Sequence, residues 1–128
     1  MCLRVLVVDD HEAVRKGVCA ILGSHGGVEV CGEAVNGNEA VAKATALRPQ
    51  VVVMDISMPG MDGIAASREI LNLYPETGIV ILSMHNSKPL IENARKAGVR
   101  AYVTKGEAGS TLLEAIDAVT QNREFFPS

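Results

Sequence analysis

Tryptophan is absent from this chain, and phenylalanine and tyrosine occur only twice each. Any core must therefore be built from aliphatic side chains. Cysteine is scarce too: Cys2, Cys19 and Cys31 form no CxxC pair, and an odd number cannot all pair with one another. That excludes a disulfide scaffold or a thiolate zinc site and points to reduced thiols in a cytoplasmic protein. An excess of one charge is also missing. The formal net charge is −3 with both signs spread along the chain, which excludes a basic nucleic-acid footprint in these residues. No apolar run reaches the ~18 to 20 residues of a membrane span, and no charged start leads into the apolar core of a signal peptide. Repeats and low-complexity segments are lacking, and 128 residues suit one domain with a single core.

What the chain does have is an unbroken run of strand formers at 51–54, ending on Asp55 and followed by Met58-Pro59-Gly60-Met61-Asp62-Gly63. Such a run reads as a strand buried on both faces, as in a parallel sheet covered by helices. A carboxylate at the rim of such a core is costly unless something uses it.

The rest of the chain repeats the pattern of strand then helix. Residues 3–8 (LRVLVV) end in Asp9-Asp10, and a helix opens at His11-Glu12 with Val14, Val18, Ile21 and Leu22 as its apolar stripe. Residues 28–34 alternate and carry two glutamates, as an edge strand does. Asn36 and Glu39 have capping-box spacing, ahead of a helix burying Val41, Ala44 and Leu47. Asp62 caps a helix over 63–73, with Ile64, Ala65, Ile70 and Leu71 inward. A strand over 79–82 ends at Ser83, Ser87 caps the next helix with Pro89 in its first turn, and Gly98 stops it. A fifth strand over 99–104 leads to Lys105 and a last helix over 107–121, with Leu112, Leu113, Ile116 and Val119 inward. Five such units predict a doubly wound α/β fold, with the flavodoxin-like strand order 2-1-3-4-5.

That order sets four strand ends side by side, carrying Asp9 and Asp10, Asp55, Ser83 and Lys105. Two unit charges ~4 Å apart repel by ~4 kcal/mol at an effective dielectric of ~20, so a cation belongs among the acids. All candidate ligands are oxygen, which favours Mg²⁺, then Mn²⁺ or Ca²⁺. Lys105 and Ser83 supply a point charge and a hydroxyl for phosphoryl oxygens. Asp55, with an open turn beside it, is the best nucleophile, and carboxylates do form aspartyl-phosphates.

Taken in order, Asp9-Asp10, the Asp55 turn, Ser83, Tyr102 and Lys105 resemble the receiver domain of two-component response regulators across nearly the whole chain. The segments 82–85 (LSMH) and 97–102 (AGVRAY) resemble the NarL/FixJ-type subgroup, whose output is usually a LuxR-type helix-turn-helix domain. The resemblance implies that Asp55 accepts a phosphoryl group from a sensor histidine kinase. It implies that Asp10, Asp55 and the Ser57 carbonyl bind Mg²⁺ directly, and Asp9 through water. Lys105 and Ser83 would hold the phosphoryl oxygens. Ser83 and Tyr102 would act as a switch that reshapes the face of helix 4, strand 5 and helix 5, the usual dimerisation or partner surface. Ser57 and His85 would tune the lifetime of the phosphate. Residues 1–121 would be the receiver, and 122–128 would begin a linker toward a DNA-binding domain outside this chain. Gly106 stands where many receivers have proline after the lysine, which leaves the isomer of that peptide bond open.

Plainer roles compete at several positions. His11 reads as a solvated residue at a helix start, since neighbouring side chains cannot all point at one ion. Tyr102 can be edge packing, and Asp62 a cap. A flavin or nucleotide binder on this fold would need an anion-binding loop where Asp9-Asp10-His11-Glu12 stands. An aspartyl-phosphate phosphatase resembling the haloacid dehalogenase group would need Asp-x-Asp where Asp55-Ile56-Ser57 stands. A phosphorylation-independent interaction module remains as the alternative. On the leading reading the chain is a phosphoacceptor rather than an enzyme, with at most Mg²⁺-dependent self-phosphorylation and autodephosphorylation.

Overall fold

The computed structural model describes residues 2–127. Five strands alternate with five helices: β1 (Leu3–Val8), α1 (Glu12–Gly23), β2 (Val28–Ala34), α2 (Gly37–Leu47), β3 (Val51–Asp55), α3 (Gly63–Leu73), β4 (Gly78–Ser83), α4 (Lys88–Lys96), β5 (Ala101–Thr104) and α5 (Ala108–Thr120). All neighbouring strands pair in parallel, in the order β2-β1-β3-β4-β5. The predicted topology and the bounds of β1 and β2 are as read from the sequence.

The two-residue period of the strands divides the core. Leu6, Val8, Val52, Met54 and Ile81 pack with the buried sides of α2, α3 and α4. Val5, Val7, Val51, Val53 and Leu82 pack with α1 and α5. Every residue of β3 and β4 is buried. That explains their continuous apolar runs, because helices cover both faces of the sheet. β2 at the edge is mostly half-buried, and a bulge between Val5 and Leu6 of β1 leaves Cys31 without a register partner.

Local sequence chemistry sets several helix starts. Asn36 Oδ1 accepts from the Glu39 N–H at 2.8 Å, and Glu39 Oε1 reaches back to the Val35 N–H at 3.2 Å. That closes a capping box shifted by one residue at its return bond. Asp62 Oδ1 accepts from the Ala65 N–H at 2.9 Å. Ser87 occupies the cap position of α4, but its side chain makes no capping bond.

Other expectations need correction. Ala66 and Ser67 of α3 are buried whereas Ala65 is only half-buried, because the stripe that meets the sheet runs through Ile64, Ser67 and Ile70. In α2, Ala40 joins Ala44 inside, with Val41 and Leu47 partly buried. β5 begins at Ala101, not at 99, since the Val99 N–H bonds back to Ala94 of α4 at 3.1 Å. A 3-10 turn over Lys105–Glu107 precedes α5 and shortens the last helix. No peptide bond among the described residues is cis, so the bond after Lys105 is trans. All three cysteines are free. No helix among the described residues is long and apolar enough to cross a membrane.

A glycine is required at Gly63, where the start of α3 meets the end of β3. A Cβ there would lie 1.9 Å from the Asp55 carbonyl oxygen, so α3 can start this close only without a side chain. Gly17, exposed within α1, has open space around it. Gly63→Ala is therefore expected to destabilise the fold by about 2 kcal/mol or more, and Gly17→Ala to stabilise it by about 0.5 to 1 kcal/mol. Thermal unfolding of the two variants checks both signs.

Candidate functional site

Register brings the polar strand ends together. Val8 of β1 lies opposite Met54 of β3, so Asp9 follows level with Asp55. Asp55 lies opposite Leu82, and Ser83 opposite Thr104, with Lys105 next in the chain. The result is one rim that carries acids, a hydroxyl and an amine, at the carboxyl ends of the strands where α/β sheets place ligands.

Asp9 and Asp55 are buried, at 2 % and 3 % exposure, and Asp10 is half-buried. Lys105 lies over them: its Nζ is 2.9 Å from Asp9 Oδ2 and 3.3 Å from Asp55 Oδ1. One ammonium does not balance three carboxylates. Burial, then the Asp9 charge, push Asp55 up to about 6, against the pull of Lys105. Burial alone would lower Lys105, but its bond to Asp9 and the charges of Asp55 and Asp9 prevail and raise it. The lysine stays a cation in this pocket.

The donor set fits a hard divalent cation. Asp55 Oδ2 is buried without a hydrogen-bond partner, and beyond the contacts of Lys105 Nζ and His11 Nδ1 the buried Asp9 Oδ2 and Asp10 Oδ1 have none. Asp9, Asp10, His11 and Asp55 each offer a ligand atom, all within 4.8 Å of one another. Orphaned carboxylate oxygens this close are what a Mg²⁺ ion would satisfy.

His11 meets the sequence expectation in part. It is solvated, with 68 % of its side chain exposed, yet its Nδ1 lies 3.1 Å from Asp10 Oδ1 and 3.4 Å from Asp9 Oδ1. The cause is its place at the cap of α1. An extended backbone there lets the His11 N–H bond Asp9 Oδ1 at 2.8 Å, which brings the residue back onto the acids. Sequence reasoning also passed over Arg15. Its side chain bonds the Asp9 carbonyl and Glu33 Oε1, both at 3.0 Å, and so ties the acid-bearing end of β1 to β2.

Ser83 is buried at the end of β4, and its Oγ accepts from the His85 N–H at 3.1 Å. Tyr102 lies inside rather than along the edge, at 1 % exposure, with its hydroxyl donating to the His85 carbonyl at 2.5 Å. Burial raises its phenol. Ser57 and His85 are exposed beside the rim, and Met84 is 72 % exposed between Ser83 and His85. A cavity of about 580 Å³ opens at the opposite end of the sheet by Pro49, Tyr74 and Thr77. It gathers no comparable set of reactive groups.

A doubly wound five-stranded α/β domain with an acidic pocket and an overlying lysine at its strand ends is the receiver class of signalling domain. Comparison with known proteins gives the same answer: residues 5–117 match the response regulator receiver domain, and the chain belongs to that family. It is 37 % identical to the response regulator GacA of Pseudomonas protegens over 123 residues, 96 % of this chain and 58 % of that protein. It is 37 % identical to the response regulator UvrY of Escherichia coli K12 over 126 residues, 98 % of this chain and 58 % of that one. The chain thus spans little more than half the length of these relatives, which place it in the NarL/FixJ-like subgroup. A LuxR-family two-component response regulator structure from Aurantimonas superposes with a TM-score of 0.94 at 33 % identity, covering 98 % of this chain and 90 % of that one. The non-phosphorylated receiver domain of Escherichia coli RcsB superposes with a TM-score of 0.92 at 27 % identity, over 100 % of both chains.

The raised Asp55 carboxyl makes a thermodynamic prediction. Its folded pKa of about 6 lies above the ordinary 3.8, so ionising it at neutral pH costs folding stability. In metal-free buffer Asp55→Asn should be more stable than the parent by roughly 2 to 3 kcal/mol at pH 7.5. The advantage should shrink as pH falls through 6 and vanish below the ordinary carboxyl value. Urea unfolding at several pH values reads it, and a pH-independent difference contradicts it.

Proposed function

We propose that this chain is the phosphoacceptor module of a two-component transcription regulator, with Asp55 as the residue that receives the phosphoryl group. The observation that carries this reading is the pairing of Lys105 with both Asp9 and Asp55, beside an Asp55 Oδ2 that is buried without a partner. Asp55 Oδ2 is free to attack. The P–N bond of a kinase phosphohistidine breaks as the P–O bond to Asp55 forms, and the imidazole leaves with the bonding electron pair. Lys105 offers a positive charge to the transferred oxygens, and Ser83 a hydroxyl. Charge neutralisation and positioning dominate such transfers.

Asp10, Asp55 and the Ser57 carbonyl would hold Mg²⁺ directly, with Mn²⁺ able to substitute, and Asp9 would act through water. Bound there, the ion would neutralise charge on the phosphoryl oxygens. Asp9 has the additional part of anchoring Lys105. The partners on this reading are a sensor histidine kinase and, through the face of α4, β5 and α5, a second copy of the chain. Residues 1–121 would form the receiver and 122–128 the start of a linker. DNA would be contacted only through an output domain outside this sequence. A cytoplasmic location follows from a kinase and DNA being the partners. Slow self-phosphorylation by small phosphodonors and autodephosphorylation would be the only chemistry of its own.

Intact-mass measurement after incubation with acetyl phosphate and Mg²⁺ tests the assignment. One phosphoryl adduct is expected on the parent and none on Asp55→Asn, and an adduct surviving that substitution removes it. His85 lies exposed two residues beyond Ser83, and on this reading it would flank the path of a hydrolytic water. His85→Ala should change the phosphate half-life by about threefold or more while leaving the initial phosphorylation rate near the parent's. A half-life equal to the parent's dismisses the role of His85.

A further inference from the structure

The acids of the pocket have an imidazole among them, at His11. Its Nδ1 is 3.1 Å from Asp10 Oδ1, and together with the carboxylates of Asp9 and Asp55 it falls within a span of 4.8 Å. The contact with Asp10 is close without being a hydrogen bond, since that oxygen has no hydrogen-bond partner. Two donors so placed can share a third point rather than each other. Ligands on neighbouring corners of an octahedron with bonds of about 2.1 Å lie about 3 Å apart, so the spacing suits two donors to one ion. A second observation points to the same place. Asp55 Oδ2, on a side chain 3 % exposed, has no partner either.

The neighbouring oxygens are already engaged. Asp9 Oδ1 accepts from the His11 backbone N–H at 2.8 Å, Asp9 Oδ2 lies 2.9 Å from Lys105 Nζ, and Asp55 Oδ1 lies 3.3 Å from the same ammonium. That leaves Asp10, Asp55 Oδ2 and His11 Nδ1 as the side-chain donors available to an ion. His11 is held in place by its backbone, through the bond to Asp9 and the extended cap of α1. With 68 % of the side chain in solvent, the ring can carry its proton on Nε2 while Nδ1 gives its lone pair.

A nitrogen donor changes which ions such a pocket prefers. Mg²⁺ takes oxygen ligands and keeps its waters, whereas imidazole suits later transition ions such as Ni²⁺ and Zn²⁺. We infer that His11 is a ligand of the metal in the Asp55 pocket and helps to select it: Nδ1 joins Asp10 and Asp55 on the ion and biases the site toward borderline divalent ions, Ni²⁺ and Zn²⁺ among them, over Mg²⁺. The inference rests on the reading of this pocket as a cation site. It goes beyond that reading in assigning a nitrogen ligand and an order of preference.

Electron spin-echo modulation of Mn²⁺ bound to the full chain tests the ligand. Modulation from a directly bound imidazole nitrogen is expected in the parent. It should be lost in His11→Ala and kept in His85→Ala, which removes the other imidazole beside the rim. Bound Mn²⁺ without nitrogen modulation, or modulation that survives His11→Ala, overturns His11 as a ligand and leaves the acidic cation site standing. No bound Mn²⁺ in the parent overturns both. Competition reads the preference: Ni²⁺ and Mg²⁺ are each titrated against bound Mn²⁺, and the returning resonance of free Mn²⁺ is followed. Only ions that enter the pocket displace it, so adventitious surface sites do not count. The ratio of Mg²⁺ to Ni²⁺ concentration at half-displacement should fall about tenfold or more in His11→Ala relative to the parent. A ratio equal to the parent's overturns the preference.

Discussion

The structure depends on a charge imbalance held at the end of a buried strand. Asp55 can be inside only because Lys105 comes over it from β5, and Lys105 can be there only because Asp9 holds its other side. Each group is costly alone and tolerable together, as buried ionic clusters are. The remaining excess of negative charge is what gives the site an appetite for cations. A pocket neutral at rest would have no such drive. Much of the surrounding fold fixes where these three groups meet: β3 buried throughout, α3 started tightly by Gly63, and Arg15 holding the backbone of Asp9.

Much of this was legible in the sequence, for identifiable reasons. β3 and β4, like Val5 to Val8 of β1, are covered on both faces, so their sequences carry unbroken apolar runs. Asn36 with Glu39, and Asp62, announce helix starts because the caps are local chemistry. Right-handed crossovers narrow the possible strand orders, the resemblance to receiver domains favours 2-1-3-4-5, and that order places Asp9, Asp55, Ser83 and Lys105 on one rim. The less legible parts are those set by tertiary contacts. Val99 has strand composition, yet its N–H closes the end of α4. Ala65 and Ala66 are chemically identical, and only the angle at which α3 lies on the sheet decides which one is buried.

His11 and the tail after α5 show a different kind of limit. Periodicity treats successive side chains as diverging, but at a helix cap the backbone is extended and one bond to Asp9 is enough to bring His11 back. The tail has too few apolar residues to register as a strand. It makes a single bridge, Phe125 to Ala101, because β5 offers unpaired backbone groups and Arg95 and Arg100 catch its side chains. Pairing with an existing edge requires far less of a sequence than forming a sheet does.

The bulge that leaves Cys31 unpaired has a consequence for how molecules behave toward each other. A flat strand with free amides and carbonyls invites stacking, sheet onto sheet, into fibrous aggregates. At the β2 border the inserted residue breaks the even spacing such stacking needs, and the ion pairs of Glu29 with Arg4 and Glu33 with Arg15 line it with charged side chains. This border is guarded at all times, and crowding of the protein in a cell would not by itself drive polymerisation from that side.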